Sequence, residues 1–240
     1  MKFDVAIAII PARFNSTRFP GKPLVEIDGK TLIEHVYRRV EQASLVRRIV
    51  VATDDLRIAE AVRRFGATAI MTRNDHQSGT DRLAEAAASQ GLDPDTLVVN
   101  IQGDEPMVEP EVIDKAISAA CLGDAEIVTL MTRLDPADAA DPNRVKVVTD
   151  RNGLALYFSR SKIPWGGTCS LHLGLYVYRV GFLKKFTKLE PAPLEMAERL
   201  EQLRALEHGY RIRVVEVESE SWGIDTPADL ERFRLIRSPQ

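Results

Sequence analysis

Three cationic side chains stand within ten residues of one another in Pro11-Ala-Arg-Phe-Asn-Ser-Thr-Arg-Phe-Pro-Gly-Lys22, directly after the apolar run Val5 to Ile10. Arg13, Arg18 and Lys22, with the hydroxyls of Ser16 and Thr17 and the loop's own amides, are the charge-assisted donors that a polyphosphate requires. Forked guanidinium groups match its oxygens in pairs. The stretch is not a Walker A loop, because Ser16 stands where that motif needs its first glycine and Pro23 where it needs Ser or Thr. A solvated basic loop is the plain alternative, and three cations at the end of a buried strand weigh against it.

Two acidic positions complement this loop. Gln102-Gly-Asp-Glu-Pro106 follows the apolar run Leu97–Ile101, and Gly103 lets the chain turn so that Asp104 projects at the strand end. Asp225 lies in Gly223-Ile-Asp-Thr-Pro227. Magnesium takes a few carboxylates together with water and substrate phosphate, so one or two aspartates suffice. Each alone reads equally well as a turn former or helix cap, since Asp-Thr-Pro is also a helix start signal. Only their coincidence with the basic loop favours a bridging metal. Arg73-Asn-Asp-His-Gln-Ser-Gly-Thr-Asp-Arg82 is a polar loop able to read base edges and ribose. No histidine has zinc spacing relative to Cys121 and Cys169. His35 and His208 are expected on helix surfaces. Ser16 and Ser78 lack a nucleophile-elbow context.

These residues need a frame, and hydrophobic periodicity supplies one. Strands are expected at 5–10 (ended by Pro11), 49–52, 68–71, 97–101 and 127–131. They alternate with helices at 31–40, 56–65, 82–89 and 111–121. The first helix opens on a capping-box pattern, Thr31 with Glu34, and its apolar face runs through Leu32, Val36 and Val40. Such alternation implies right-handed crossovers and a mostly parallel sheet, with ligands outside the carboxyl ends of its strands. The segments at those ends are 11–22, 53–55, 72–80 and 102–106. After about residue 135 the runs 145–148, 154–159 and 173–178 follow one another without helices, which reads as an antiparallel lobe. A helix at 194–208 stopped by Gly209, a strand at 212–217 and a helix at 227–236 complete the chain.

Composition bounds the function class. The chain has 240 residues, 45% hydrophobic and 28% charged, which excludes disorder, collagen and coiled coil. A net charge of -3 argues against polynucleotide binding, which needs clustered surplus Lys and Arg. Two cysteines without a CxxC pair fit a reducing compartment, the cytoplasm. No run reaches the roughly 20 apolar residues of a membrane span, and no basic leader precedes Val5.

The stretches IPARFNSTRFPGKPL, ATDD, MTRNDHQSGTDR, VNIQGDEP, DPNRVKVVTDRNGLALYFSR, HLGLYVYR, LEQLRALEHGYRI and GIDTPADLERF occur in this order from about residue 5 to 233. Together they resemble the 3-deoxy-manno-octulosonate cytidylyltransferase (CMP-Kdo synthetase) family. The resemblance implies a Rossmann-like nucleotidyltransferase α/β fold with helices on both faces of a mostly parallel sheet and a smaller antiparallel lobe. It implies one domain over 1–240, with 1–134 mainly for CTP and about 135–190 serving the sugar site and a homodimer interface. The implied reaction joins CTP and Kdo to give CMP-Kdo and pyrophosphate for lipopolysaccharide, with Mg2+ as cofactor.

Carried over by position, Arg13, Ser16, Arg18 and Lys22 hold the CTP phosphates, with Ala12 also at the nucleotide. Thr72, Arg73, Ser78, Gly79 and Arg82 lie around the cytidine. Asp104 and Asp225 ligate magnesium and, with Arg13 and Lys22, form the catalytic set. Gln102 touches nucleotide and sugar, while Arg160, His172, Tyr176, Glu201 and Gln202 contact Kdo. The chain departs from the family in one place: only Gly166–Leu171 joins Trp165 to His172 where the family has a longer segment. That leaves 8-amino-Kdo or a sialic acid as alternative acceptors, and a catalytically silent nucleotide-binding protein as the alternative of another class.

Overall fold

In the computed structural model, which describes residues 5–15, 19–76, 78–219 and 222–237, the first apolar run forms strand β1 (Ala6–Ala12), buried almost throughout. Pro11 does not end this strand. It stays in register opposite Ala52, and Ala12 opposite Thr53, because a proline in extended backbone sacrifices only its N–H.

The chain folds in two compact units. The first comprises Met1–Leu92, Val98–Asp114 and Glu220–Gln240. After β1 it contains a two-residue hairpin, β2 (Glu26–Ile27) and β3 (Lys30–Thr31). Its turn residues Asp28 and Gly29 have φ of 52° and 74°, the paired positive values of a type I′ turn. Then come α1 (Leu32–Val40), β4 (Val46–Thr53), α2 (Leu56–Arg64), β5 (Thr68–Met71), α3 (Gly79–Ser89), β6 (Leu97–Asn100) and the start of α4 (Pro110–Leu122). In this unit the strand order is β6-β1-β4-β5. The pairs β1·β4 and β4·β5 are parallel.

Thr31 caps α1 as expected, its hydroxyl accepting from the Glu34 amide at 3.4 Å. Helix α3 starts three residues earlier than the periodicity predicts, because Ser78 and Asp81 form a complete capping box. His35 is not on a helix surface. It is 5% exposed, its Nε2 lies 2.8 Å from the Ile27 carbonyl, and its ring meets Phe233 edge-on.

The second unit comprises Asp93–Leu97 and Lys115–Ser219. It contains β7 (Ile127–Arg133), β8 (Lys146–Thr149), β9 (Ala155–Ser159), β10 (Ser170–Arg179) and β11 (Ile212–Glu216). Strand β10 pairs antiparallel with β7 and β8, β9 pairs antiparallel with β8, and β11 runs parallel to β7. The antiparallel excursion after residue 135 is therefore present. Its helices are α5 (Val180–Phe186), α6 (Pro193–Glu198) and α7 (Gln202–Glu207). The single helix expected over 194–208 is thus two, broken where Arg199 takes a left-handed φ of 54°. The Arg160 guanidinium occupies the carbonyls of Glu198 and Arg199 there, at 2.7 and 3.3 Å. A further helix of the first unit, α8 (Pro227–Arg237), ends the described chain. Among the described residues no helix is long and apolar enough to cross a membrane.

One close approach ties the functional loops to this frame. A Cβ on Gly103 would lie 2.8 Å from the Pro11 carbonyl oxygen, inside van der Waals contact with backbone. Gly103→Ala should therefore push the two strand ends apart and lower stability by about 1–3 kcal/mol. Urea unfolding followed by circular dichroism measures this, and an unchanged midpoint would contradict it.

Candidate active site

At the centre of the first unit's cleft the Lys22 ammonium lies 2.6 Å from Asp104 Oδ2 and 3.2 Å from Asp225 Oδ1. Three segments far apart in sequence supply these groups, and each is held locally. Lys22 opens a short 3-10 turn after Gly21, whose amide donates to the Phe14 carbonyl at 2.9 Å. Asp104 follows β6 through the turn that Gly103 permits. Asp225 is brought in by backbone, since the neighbouring Ile224 amide donates to the Asp104 carbonyl at 2.8 Å. Ile224 itself is buried with Ile27, Leu32, Leu230 and Phe233. The Asp229 carboxylate then accepts from the amides of Asp225 and Thr226 at 3.0 and 2.8 Å, fixing the entry to α8.

Negative charge accumulates here. Burial, reinforced by Asp104 and then Asp225, pushes the neighbouring Glu105 carboxyl up to about 8. Two carboxylates that reach one ammonium also reach one cation-sized point, and magnesium needs only such a pair once water and phosphate oxygens complete its shell. Among the described residues no cluster of three or more His, Cys, Asp and Glu could hold a metal unaided. The residues present therefore fit a magnesium that shares its ligands with substrate.

Around this centre the cleft is lined by Pro11, Ala12, Arg13, Pro23, His76, Ser78, Gly79, Arg82, Gln102 and Gly103. Arg13 is exposed at its rim. Ser78 and Gly79 present the start of α3, where the helix dipole favours an anion. Arg82 is 4% exposed. It donates to the Asp54 carboxylate at 2.8 Å and is also held by the Thr72 hydroxyl. His76 is tied to Glu85. Burial raises the Glu85 carboxyl, but the bonds from His76 and the Arg73 amide outweigh it and leave it below the usual range.

In the second unit, Arg160 spends its guanidinium on backbone carbonyls, Pro142 at 2.9 Å in addition to Glu198 and Arg199. Its own carbonyl accepts from the buried Lys146 ammonium at 2.5 Å. Glu198 takes the Arg160 amide at 2.8 Å and the Ser159 hydroxyl at 2.7 Å. His172 Nε2 lies 2.9 Å from Thr129 Oγ1, which is also 2.8 Å from the Leu175 carbonyl and 3.1 Å from that of Leu173. The single hydroxyl proton goes to a carbonyl, so His172 must donate its Nε2–H, leaving Nδ1 as an acceptor. Burial holds the imidazole neutral, with its pKa lowered to about 3. Tyr176 packs against His172 at 5.5 Å. Gln202 is buried with its Nε2 unpartnered among the described residues, while Glu201 stands at the start of α7, 3.9 Å from Arg204.

Comparison with known proteins decides what this arrangement belongs to. The sequence profile of the cytidylyltransferase family matches residues 7–212. A 3-deoxy-manno-octulosonate cytidylyltransferase of Geobacter metallireducens is 54% identical, covering 94% of each chain. The chain belongs to the 3-deoxy-manno-octulosonate cytidylyltransferase family. A solved CMP:2-keto-3-deoxy-manno-octonic acid synthetase in complex with CTP superposes with a TM-score of 0.92 at 43% identity, covering 97% of this chain and 98% of that one. A glucose-1-phosphate thymidylyltransferase structure from Bacillus anthracis, 17% identical with a TM-score of 0.70 over 98% and 97% of the two chains, shares the nucleotidyltransferase fold.

Within this family member, the cleft gathers Ala12, Arg13, Lys22, Ser78, Gly79, Arg82, Gln102, Asp104 and Asp225. Thr72 stands behind Arg82, and Arg73 is turned outward to Asp75 at 3.2 Å. Ser16 and Arg18 lie outside the described residues. His76, Pro11, Pro23 and Gly103 line the cleft without having been singled out as site residues. For His76 the only signal was its place in the polar loop. The short segment after Trp165 leads almost directly into β10, which already contains Leu171 and His172.

The neutral His172 makes stability depend on pH. An unfolded chain protonates this imidazole below its ordinary pKa of about 6.5, whereas the folded chain resists until about 3. Its contribution is complete above pH 6.5 and is lost as the pH falls towards 3. The slope reaches at most about 1.4 kcal/mol per pH unit. Urea unfolding between pH 7 and 4 should show wild type losing stability faster than His172→Gln; parallel curves would contradict the assignment.

Proposed function

We propose that the chain transfers CMP from CTP to 3-deoxy-D-manno-octulosonate, releasing pyrophosphate and supplying CMP-Kdo for lipopolysaccharide. The observation that carries this reading is the convergence of Lys22, Asp104 and Asp225 in a cleft walled by Arg13, Arg82 and the start of α3. The family membership supports it. So does the likeness to a synthetase solved with CTP.

The anomeric 2-hydroxyl of Kdo attacks the α-phosphorus in line, giving up its proton to water, as the bond to pyrophosphate breaks. No protein nucleophile is required, so the chain's contribution is positioning and neutralisation of charge developing on phosphate oxygens. Arg13, Arg18 and Lys22, with Ser16 and Ala12, hold the phosphates and stabilise the leaving group. Ser78, Gly79, Arg82, Thr72 and Arg73 hold the cytidine side. Asp104 and Asp225 would hold Mg2+, which would neutralise phosphate charge and lower the pKa of the sugar hydroxyl. Gln102, Arg160, His172, Tyr176, Glu201 and Gln202 orient the sugar. His172 does so as a neutral acceptor through Nδ1, and Gln202 through an amide nitrogen that has no partner among the described residues. Residues 1–134 serve mainly CTP, and about 135–190 serve the acceptor and a homodimer interface. The protein works in the cytoplasm.

Pyrophosphate release with each of four nucleoside triphosphates and Kdo, with and without Mg2+, tests base, acceptor and metal together. CTP with Mg2+ should be the active combination; another nucleotide turning over equally would overturn the reading. Replacing Kdo by 8-amino-Kdo and a sialic acid ranks the acceptors. Lys22→Ala should lower kcat, and Asp104→Asn should cut activity by about two orders of magnitude or more and weaken the magnesium dependence. An Asp104→Asn magnesium titration identical to wild type would remove Asp104 from the metal site.

A further inference from the structure

The segment Thr53-Asp54-Asp55 lies at the carboxyl end of a parallel strand, where ligands bind, yet the reading above gives it no task. Its members divide the work. Asp55 caps α2, accepting from the Arg57 amide at 2.9 Å, and Thr53 Oγ1 accepts from the Asp55 amide at 3.2 Å. Asp54 does neither: its Oδ2 accepts from Arg82 Nη2 at 2.8 Å. Arg82 lines the cleft, whereas Asp54 stands behind that wall. The Asp54 side chain is 19% exposed and that of Arg82 is 5% exposed. A guanidinium buried so deeply needs a counter-charge to offset its lost hydration and to fix its direction. The Thr72 hydroxyl and the Arg73 carbonyl take Nη1, so three contacts brace the guanidinium.

We propose that Asp54 is a positioning residue that holds Arg82 against the nucleotide and sets CTP affinity through it. This rests on the reading of the cleft as the CTP site. The test is calorimetric titration of CTP with Mg2+ into the full chain, together with KM for CTP and for Kdo. Asp54→Asn keeps the shape and removes the charge. It should weaken CTP about tenfold, raise the CTP KM by a similar factor and leave the Kdo KM within about twofold. The double variant Asp54→Asn/Arg82→Gln should bind CTP no more weakly than Arg82→Gln alone, because the two residues act as one unit. Asp54→Glu should restore affinity to within about threefold of wild type.

CTP affinity unchanged in Asp54→Asn, or losses that multiply in the double variant, would overturn the inference while wild type still binds CTP. Wild type failing to bind CTP would overturn the nucleotide reading and this inference with it. Should Asp54→Asn fail to fold, Asp54→Ser keeps a small polar group there and should weaken CTP about tenfold, an unchanged affinity overturning the inference. A lower melting temperature with unchanged CTP affinity would reduce the contact to a structural one and sink the proposal.

Discussion

Two carboxylates held close to one point repel each other unless a cation or a shared proton intervenes, and here the Lys22 ammonium stands between Asp104 and Asp225. The surrounding structure enforces the approach. The Ile224 amide is bonded to the Asp104 carbonyl, and Ile224 is locked into an apolar cluster with Leu32 and Phe233. The backbone thus brings the acids together and the lysine offsets their repulsion. Glu105, next in the chain, cannot ionise as readily, because it would add a further negative charge to a partly buried neighbourhood. The same local field that disfavours a third carboxylate would favour a divalent cation joined to a polyphosphate.

Parallel strands explain why distant residues meet. β1, β4, β5 and β6 deliver the loops that follow them to one edge of the first unit's sheet. The loop after β1 brings Arg13 and Lys22, the segment after β6 brings Gln102 and Asp104, and the loop after β5 brings His76 and the start of α3. Asp54, at the end of β4, braces Arg82 from behind.

Much of this was legible in the sequence, because continuous apolar runs at 5–10 and 97–101 and helical periodicity between them leave few other folds. Motif order then made the family visible before any coordinates. What escaped the sequence reading did so for physical reasons. Gly79 and Thr80 are weak helix formers, so periodicity placed the start of α3 at Arg82 although Ser78 and Asp81 carried a capping box. Arg199 looks like an ordinary helical residue, and the break after α6 depends on the guanidinium of Arg160, 39 residues upstream. His35 falls on a polar stretch of α1, but the Ile27 carbonyl and the Phe233 ring bury it. The resemblance put Lys22, Asp104 and Asp225 in one catalytic set, but the direct contact of the ammonium with both carboxylates went unread, since nothing local in three separate segments encodes that pairing.

The most direct measurement is a crystal structure of the full chain grown with CTP and Mg2+. The account predicts a triphosphate lying along Arg13 and Lys22, with a metal ion bonded to Asp104, Asp225 and a phosphate oxygen. A nucleotide bound elsewhere, or bound here with both aspartates turned away from any metal, would contradict it.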